Sequence, residues 1–180
     1  MNEKIGLFYG SDTGNTEAAA LRIVEILGHE NVDLYDIYDT KPEQFHSYRF
    51  IIIGLSTWHD GELQSDWDSF FDDLKEIDFT GKTVALFGLG DQVVYSHYFI
   101  DGVGIIGQQI YENGGNIVGV WSTEGYGFDD SKAEFKKGWF LGLALDEDNE
   151  SHLTEERIIN WLDQVMQEFN DVNTEKELKN

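Results

Sequence analysis

Short apolar runs alternate with segments of helical periodicity along most of the chain. Strands without a polar face are typical of a parallel sheet that is covered on both sides. The alternation therefore predicts an α/β fold, with one parallel sheet between two layers of helices. The predicted strands are 4–9, 32–37, 49–55, 82–88 and 116–121, and the predicted helices are 16–27, 63–77, 98–113 and 154–169.

The regular pattern breaks between residues 122 and 138, which form a polar stretch containing Gly and Asp. The strand-like run 139–145 follows it, and we interpret the whole region as one edge strand split by an insertion. Residues 1–169 are expected to form a single domain, because the chain length suits one core. Residues 170–180 are polar and are expected to be a frayed tail.

Composition and charge narrow the classes of function. The 180 residues include 12 Lys and Arg against 35 Asp and Glu, a formal net charge of −23. This charge argues against nucleic acid and anionic membranes as partners and favours a basic partner. There is no cysteine, so a redox function needs a bound cofactor. Neither a signal peptide nor a membrane span is evident, so the expected location is the cytoplasm.

A loop of small polar residues follows the first predicted strand. In an open parallel sheet, ligands bind at this position, between the carboxyl end of a strand and a helix N-terminus. The loop lacks the motifs for a nucleoside triphosphate or a dinucleotide, so its neutral donors best suit a terminal monophosphate. A turn that only caps the helix is the alternative. The loop residues are Ser11, Asp12, Thr13, Gly14, Asn15 and Thr16.

Two further loops follow the third and fourth predicted strands, at the same edge of the sheet. Each carries an aromatic residue, Trp58 or Tyr95, in polar surroundings. Taken singly, each aromatic is more typical of loop packing, but together with a phosphate loop they indicate a flat heterocycle joined to a phosphate. The candidate residues in these loops are Ser56, Thr57, Trp58, His59, Asp60, Gly61, Leu89, Gly90, Asp91 and Tyr95.

These segments resemble the flavodoxins, in particular those of the long-chain type. The similarity lies in GLFYGSDTGNTEAAA, STWHDGELQSDWDSF, GKTVALFGLGDQ, VGVWSTEGYGFDDSKA and FLGLALDEDN. The resemblance implies a flavodoxin-like three-layer sandwich, with a five-stranded parallel sheet in the order 2-1-3-4-5. It also implies noncovalently bound FMN and a role as a low-potential one-electron carrier, which is not a turnover enzyme.

The resemblance assigns each loop a part in holding the cofactor. Residues 11–16 are similar to the family's phosphate loop, residues 57–61 to its tryptophan loop and residues 89–95 to its tyrosine loop. By the same resemblance, Trp58 and Tyr95 would flank the isoalloxazine ring.

Further positions either match residues close to the flavin in the family or differ from the family's pattern. Asp91 would approach the polar edge of the flavin, and Asp146 matches another position close to the cofactor. Val94 stands where many relatives have Gly. His59 and Asp60 occupy a variable stretch, where the resemblance suggests a peptide that rearranges around the reduced flavin. A titrating His59 would then couple pH to the potential, whereas a solvent-facing histidine without such a role is the alternative. No spacing of histidines suggests a metal site.

The distribution of charge adds an expectation of its own. No Lys or Arg lies between positions 49 and 75, 82 and 132, or 137 and 157, the stretches that carry the tryptophan loop, the tyrosine loop and Asp146. A negative field penalises an anionic hydroquinone and spares a neutral semiquinone, which predicts a strong reductant at the second step. The same acidic rim would steer basic partners, although a generally acidic surface is an equal alternative.

The expected partners follow from the resemblance. They are a ferredoxin/flavodoxin NADP reductase as donor and a low-potential acceptor such as nitrogenase or a radical enzyme activator, and the carrier is expected to be a monomer. One alternative is an FMN-dependent quinone or nitro reductase on the same fold. The chain shows no extra domain or basic cluster for a pyridine dinucleotide phosphate. A second alternative is an acidic binding module with a vacant loop.

Overall fold

A parallel sheet with helices on both faces forms the centre of the computed structural model, which describes residues 3–177. The strands are β1 (Ile5–Tyr9), β2 (Val32–Asp36), β3 (Phe50–Trp58), β4 (Glu62–Leu63), β5 (Thr83–Leu89), β6 (Asn116–Val118), β7 (Trp121–Ser122), β8 (Glu134–Lys136), β9 (Trp139–Phe140) and β10 (Leu143–Leu145). The helices are α1 (Asn15–Leu27), α2 (Pro42–His46), α3 (Ser65–Glu76), α4 (Asp101–Glu112) and α5 (Thr154–Glu177). No helix among these residues is long and apolar enough to cross a membrane.

The order of the main strands is β2-β1-β3-β5, and both β6 and β10 pair with β5 in parallel. β6 pairs with residues 83–85 and β10 with residues 87–89, so they form the two halves of one edge strand. The segment between the halves carries a small antiparallel sheet in the order β7-β9-β8. This arrangement agrees with the strand order and the split strand that the sequence predicts.

Each face of the sheet has its own hydrophobic core. Leu7 belongs to the core beneath α1 and α5, and its neighbour Phe8 to the core beneath α2, α3 and α4. Because side chains alternate along a strand, residues of both parities must be apolar when both faces are buried. The continuous hydrophobic runs in the sequence have this cause.

Several element boundaries differ from the sequence prediction. The helix predicted from residue 98 begins only at Asp101, because Ile100 has a left-handed backbone with φ of 50°. The fifth strand ends at Val118, because Gly119 turns the chain with φ of 72° toward the second sheet. Pro42, predicted to lie in a connection, is the first residue of the short helix α2, where its missing N–H costs nothing.

The last helix is longer than predicted. Its predicted end at Phe169 is wrong, because α5 continues to Glu177. The side chain of Arg49 holds the extension: its Nη2 donates to the carbonyl oxygen of Val172 at 3.2 Å, and its Nη1 donates to the side chain of Asn173. The expected frayed tail is therefore helical at least to residue 177, and residues 178–180 lie outside the described part of the chain.

Candidate functional site

Loops at the carboxyl ends of β1, β3 and β5 line an open cavity of about 410 Å³. The edge of a parallel sheet gathers such loops, because all its strands end there together. The cavity is lined by Thr13, Asn15, Thr16, Ser56, Thr57, Trp58, His59, Leu89, Gly90, Asp91, Tyr95, Glu147 and Asp148. All three predicted loops contribute to this wall.

The start of α1 faces this cavity without a side-chain cap. Gly14 is the N-cap residue, with φ of 91°, and the first helical hydrogen bond runs from Ala18 N to Gly14 O at 2.9 Å. The amides of residues 15–17 precede that bond and have no acceptor within the helix. Together with the helix dipole, such amides form a site for an anion.

Two residues of the phosphate loop shape it from outside the cavity wall. Ser11 Oγ accepts a hydrogen bond from Gly14 N at 3.0 Å, which closes the turn. Asp12 Oδ1 accepts from Gln64 Nε2 at 3.0 Å and from Ser65 Oγ at 2.5 Å. Asp12 therefore ties the loop to the start of α3.

The tryptophan loop is a tight reversal between β3 and β4, in which Trp58 pairs with Glu62. His59 and Gly61 both have left-handed backbones, with φ of 46° and 87°. A Cβ on Gly61 would lie 2.5 Å from Asp101 Oδ2, so glycine is required there by backbone conformation and by close approach. The predicted residues Asp60 and Gly61 thus define the turn and do not line the cavity.

An ion pair between a buried carboxylate and an exposed lysine lies beneath this turn. The carboxylate of Asp101 is 2% exposed; its Oδ2 lies 2.8 Å from Lys132 Nζ, and its Oδ1 accepts from Lys132 N at 2.7 Å. Beside it, Gly102 N donates to Thr57 Oγ1 at 3.0 Å. The insertion and α4 therefore support the tryptophan loop from below.

The tyrosine loop is organised by Asp91. Its Oδ1 accepts hydrogen bonds from the backbone N–H groups of Val93 at 2.9 Å and Val94 at 2.8 Å. Partial burial acts to raise the pKa of Asp91, but these bonds and one from Asn149 hold that pKa below its ordinary value. Val94 is not among the described residues with a positive φ, so its backbone does not require glycine at this position.

Asp146 supports the cavity wall from behind. It is fully buried and accepts hydrogen bonds from Gln92 N at 3.1 Å and from Asn149 N at 3.0 Å. It does not line the cavity itself; the next two residues, Glu147 and Asp148, do so. Asp146, which the resemblance places close to the cofactor, thus lies next to the lining residues, and the strand-end rule, applied to β10, would have pointed to its two neighbours.

The insertion also joins the tyrosine loop through one buried amide. Gln92 is 4% exposed, and its Oε1 accepts from Gly127 N at 2.6 Å while its backbone N–H bonds Asp146. No signal in the sequence distinguishes this glutamine, because its partners lie far away along the chain. The role of Gln92 depends on how the insertion packs against the tyrosine loop.

A family model described as "Flavodoxin" matches residues 7–161, which make up most of the chain. The chain belongs to the flavodoxin family. It is 48% identical to the flavodoxin of Nostoc sp. (strain PCC 7120) over 94% of this chain and 99% of that protein. It is 52% identical to the flavodoxin of Synechocystis sp. (strain PCC 6803), over 90% of this chain and 95% of the relative.

A solved structure shares the fold of this flavodoxin. The crystal structure of Fusobacterium nucleatum flavodoxin bound to flavin mononucleotide superposes with a TM-score of 0.87. The two chains are 31% identical, and the match covers 92% of this chain and 98% of the other.

The wall of the cavity in this flavodoxin is acidic. Asp91, Glu147 and Asp148 contribute carboxylates, and no Lys or Arg is among the lining residues. This agrees with the base-free stretches of the sequence. An anion at the start of α1 would have only neutral donors among these lining residues, and negative charge added at the opposite end would meet an unfavourable field.

Proposed function

We propose that this cavity holds FMN, the cofactor with which this flavodoxin carries single electrons, and that residues 1–169 form the FMN-binding domain. The observation that carries the proposal is the uncapped start of α1, which opens into a cavity bordered by two aromatic side chains. Membership of the flavodoxin family supports an FMN-based electron carrier and does not favour a quinone or nitro reductase. The FMN in the Fusobacterium nucleatum structure supports the choice of ligand.

The phosphate of FMN is assigned to the start of α1. Thr13 and Thr16 would donate their hydroxyls, and Asn15 its side-chain amide, beside the free backbone N–H groups of the first turn. Hydrogen bonds to a charged group are worth about 1.5 to 3 kcal/mol each, so several of them suffice without a cation. Ser11 and Gly14 keep the loop in this conformation through their mutual hydrogen bond.

The flavin ring is assigned to the space between the tryptophan and tyrosine loops. Trp58 and Tyr95 would cover its faces and exclude water, with Gly90 and Asp91 along its polar edge. The indole of Trp58 is oriented by a hydrogen bond from its Nε1 to Ser56 Oγ at 3.0 Å. FMN supplies the one-electron chemistry when bound, and these residues orient it and set its electrostatic surroundings.

The acidic surroundings of the cavity suit redox partners with basic docking faces. Opposite charges would speed association, and the rates should fall as salt screens them. We infer that a ferredoxin/flavodoxin NADP reductase delivers the electrons and that low-potential enzymes, such as nitrogenase or radical enzyme activators, accept them. We further infer a monomer, because a carrier must dock and leave repeatedly. We also infer that it works in the cytoplasm.

Stepwise anaerobic reduction of the purified protein, followed by visible absorption, tests this function. We expect a yellow protein that passes through a half-reduced flavin with long-wavelength absorption before it bleaches. Direct conversion to the two-electron reduced form, combined with NADPH oxidation by the protein alone, would instead identify an enzyme. Failure of the apoprotein to bind added FMN would contradict the cofactor assignment itself.

A further inference from the structure

A single side-chain amide joins a carboxylate in the wall of the cavity to a second carboxylate behind it. Asn149 Nδ2 lies 2.8 Å from Asp91 Oδ1, and 3.0 and 2.9 Å from the two carboxylate oxygens of Asp146. The backbone N–H of Asn149 donates to Asp146 Oδ1 at 3.0 Å. One residue therefore connects the tyrosine loop with the segment that follows β10.

The two carboxylates differ in position, but both require hydrogen-bond donors. Asp91 lines the cavity, whereas Asp146 is fully buried behind it. Their described donors are all neutral N–H groups: those of Val93 and Val94 for Asp91, that of Gln92 for Asp146, and those of Asn149. Neighbouring carboxylates repel each other when both are ionised, and a shared donor reduces that repulsion.

We propose that Asn149 is a positioning residue for the flavin site, whose amide fixes the Asp91 carboxylate at the cavity wall by bridging it to Asp146. Asn149 does not line the cavity and acts through Asp91. Because Asp91 also holds the backbone of Val93 and Val94, its orientation determines the path of the loop toward Tyr95. The inference rests on the proposed function in one respect, namely that the cavity holds the flavin.

The first test uses the apoprotein and needs no flavin. The carboxyl pKa of Asp91 is measured by carbon-13 NMR in the wild type, Asn149→Ala and Asn149→Asp. We expect the pKa to rise in Asn149→Ala, which removes the donor, and to rise further in Asn149→Asp, which adds a third carboxylate. Asn149 is exposed, so neither change opens the core. Asn160→Asp adds the same charge at an exposed position of α5 and should leave the Asp91 titration unchanged.

The second test is a double-mutant cycle on FMN affinity. We expect Asn149→Ala to weaken FMN binding about three- to tenfold, the worth of one partly exposed hydrogen bond to a carboxylate. In an Asp91→Asn background the same change should matter less than about twofold, because the carboxylate through which Asn149 acts is gone. The melting temperature of the apoprotein serves as the control for folding.

Two results would overturn the inference. One is an Asp91 pKa that does not change in Asn149→Ala, and the other is an equal loss of FMN affinity in both backgrounds, which would indicate a purely structural residue. A wild-type protein that fails to bind FMN would contradict the proposed function instead. In that case the titration of the apoprotein would still decide whether Asn149 holds Asp91.

Discussion

The guanidinium carbon of Arg157 lies 4.3 Å from the centre of the Tyr126 ring. Its Nη2 donates to Glu150 Oε2 at 2.7 Å, and the Tyr126 hydroxyl donates to the carbonyl oxygen of Ala144 at 2.7 Å. Burial raises the pKa of Tyr126 to about 12, so the hydroxyl keeps its proton. Helix α5 and the insertion are thereby joined to β10, the strand that leads into the cavity wall.

This arrangement predicts a pH-dependent contribution of Glu150 to stability. Burial acts to raise its pKa, but hydrogen bonds from Gln92 and Arg157 lower that pKa below the ordinary value of 4.5. The carboxylate therefore stabilises the fold above that value, and the stabilisation is lost as pH falls through the lowered pKa. We expect Glu150→Gln to reduce the free energy of unfolding by about 2 kcal/mol at neutral pH.

Urea unfolding at several pH values checks this prediction. The difference between wild type and Glu150→Gln should shrink as the solution is acidified below the ordinary pKa of a glutamate. Glu30→Gln is the matched control, because Glu30 is exposed. A difference that stays constant with pH would mean that the charge of Glu150 does not contribute.

The phosphate assignment predicts selective loss of FMN affinity. Thr13→Val combined with Thr16→Val removes two hydroxyls from the start of α1. Riboflavin has no phosphate, so the loss of these hydroxyls should affect its binding less. We expect the double variant to weaken FMN binding at least about tenfold more than riboflavin binding. Fluorescence titration of the apoprotein measures both affinities, with Thr123→Val as a control in the insertion. Equal weakening of the two ligands would remove the phosphate from this loop.

The ring assignment predicts the opposite selectivity for Trp58. Trp58→Ala should weaken FMN and riboflavin alike, by about 1 to 3 kcal/mol, because both ligands carry the same ring and lose the same stacking. Trp139→Ala is the control, since that tryptophan is 42% exposed on β9 and does not line the cavity. A loss confined to FMN would place Trp58 near the phosphate and contradict the assignment.

His59 offers a prediction about the reduction potential. Its left-handed backbone, with φ of 46°, suits asparagine as well, so His59→Asn removes the ring and retains the turn. A positive charge on the imidazole favours the fully reduced, more negative flavin. The second potential of the wild type should therefore rise more steeply on acidification than that of the variant.

Spectroelectrochemical titration between about pH 5 and 8 measures this difference. His152→Asn, at an exposed position just before α5, is the control. Superimposable curves for wild type and His59→Asn would leave His59 as a solvent-facing residue without a role in the couple.

The sequence predicted the sheet and the three loops because local rules determine them. Apolar runs mark strands buried on both faces, and strand ends mark the cavity. Two of the features that were missed depend on long-range contacts. The support of the tryptophan loop depends on the pairing of Asp101 with Lys132, and the length of α5 depends on Arg49. The start of α4 depends instead on the left-handed backbone of its neighbour Ile100, a conformation that an isoleucine rarely adopts.

The split edge strand has a consequence for chain length. Val118 pairs with Ala85 and Leu143 with Phe87, so only the position opposite Leu86 separates the two halves of the strand. The whole detour 119–142 therefore replaces one residue of strand. Its length can change in evolution or by engineering without shifting Leu143 along the sheet, since pairing with β5 fixes where the chain re-enters. The register of the re-entering strand is therefore independent of the length of the detour, whereas the contacts of Gly127 and Lys132 with the two loop regions depend on the detour itself.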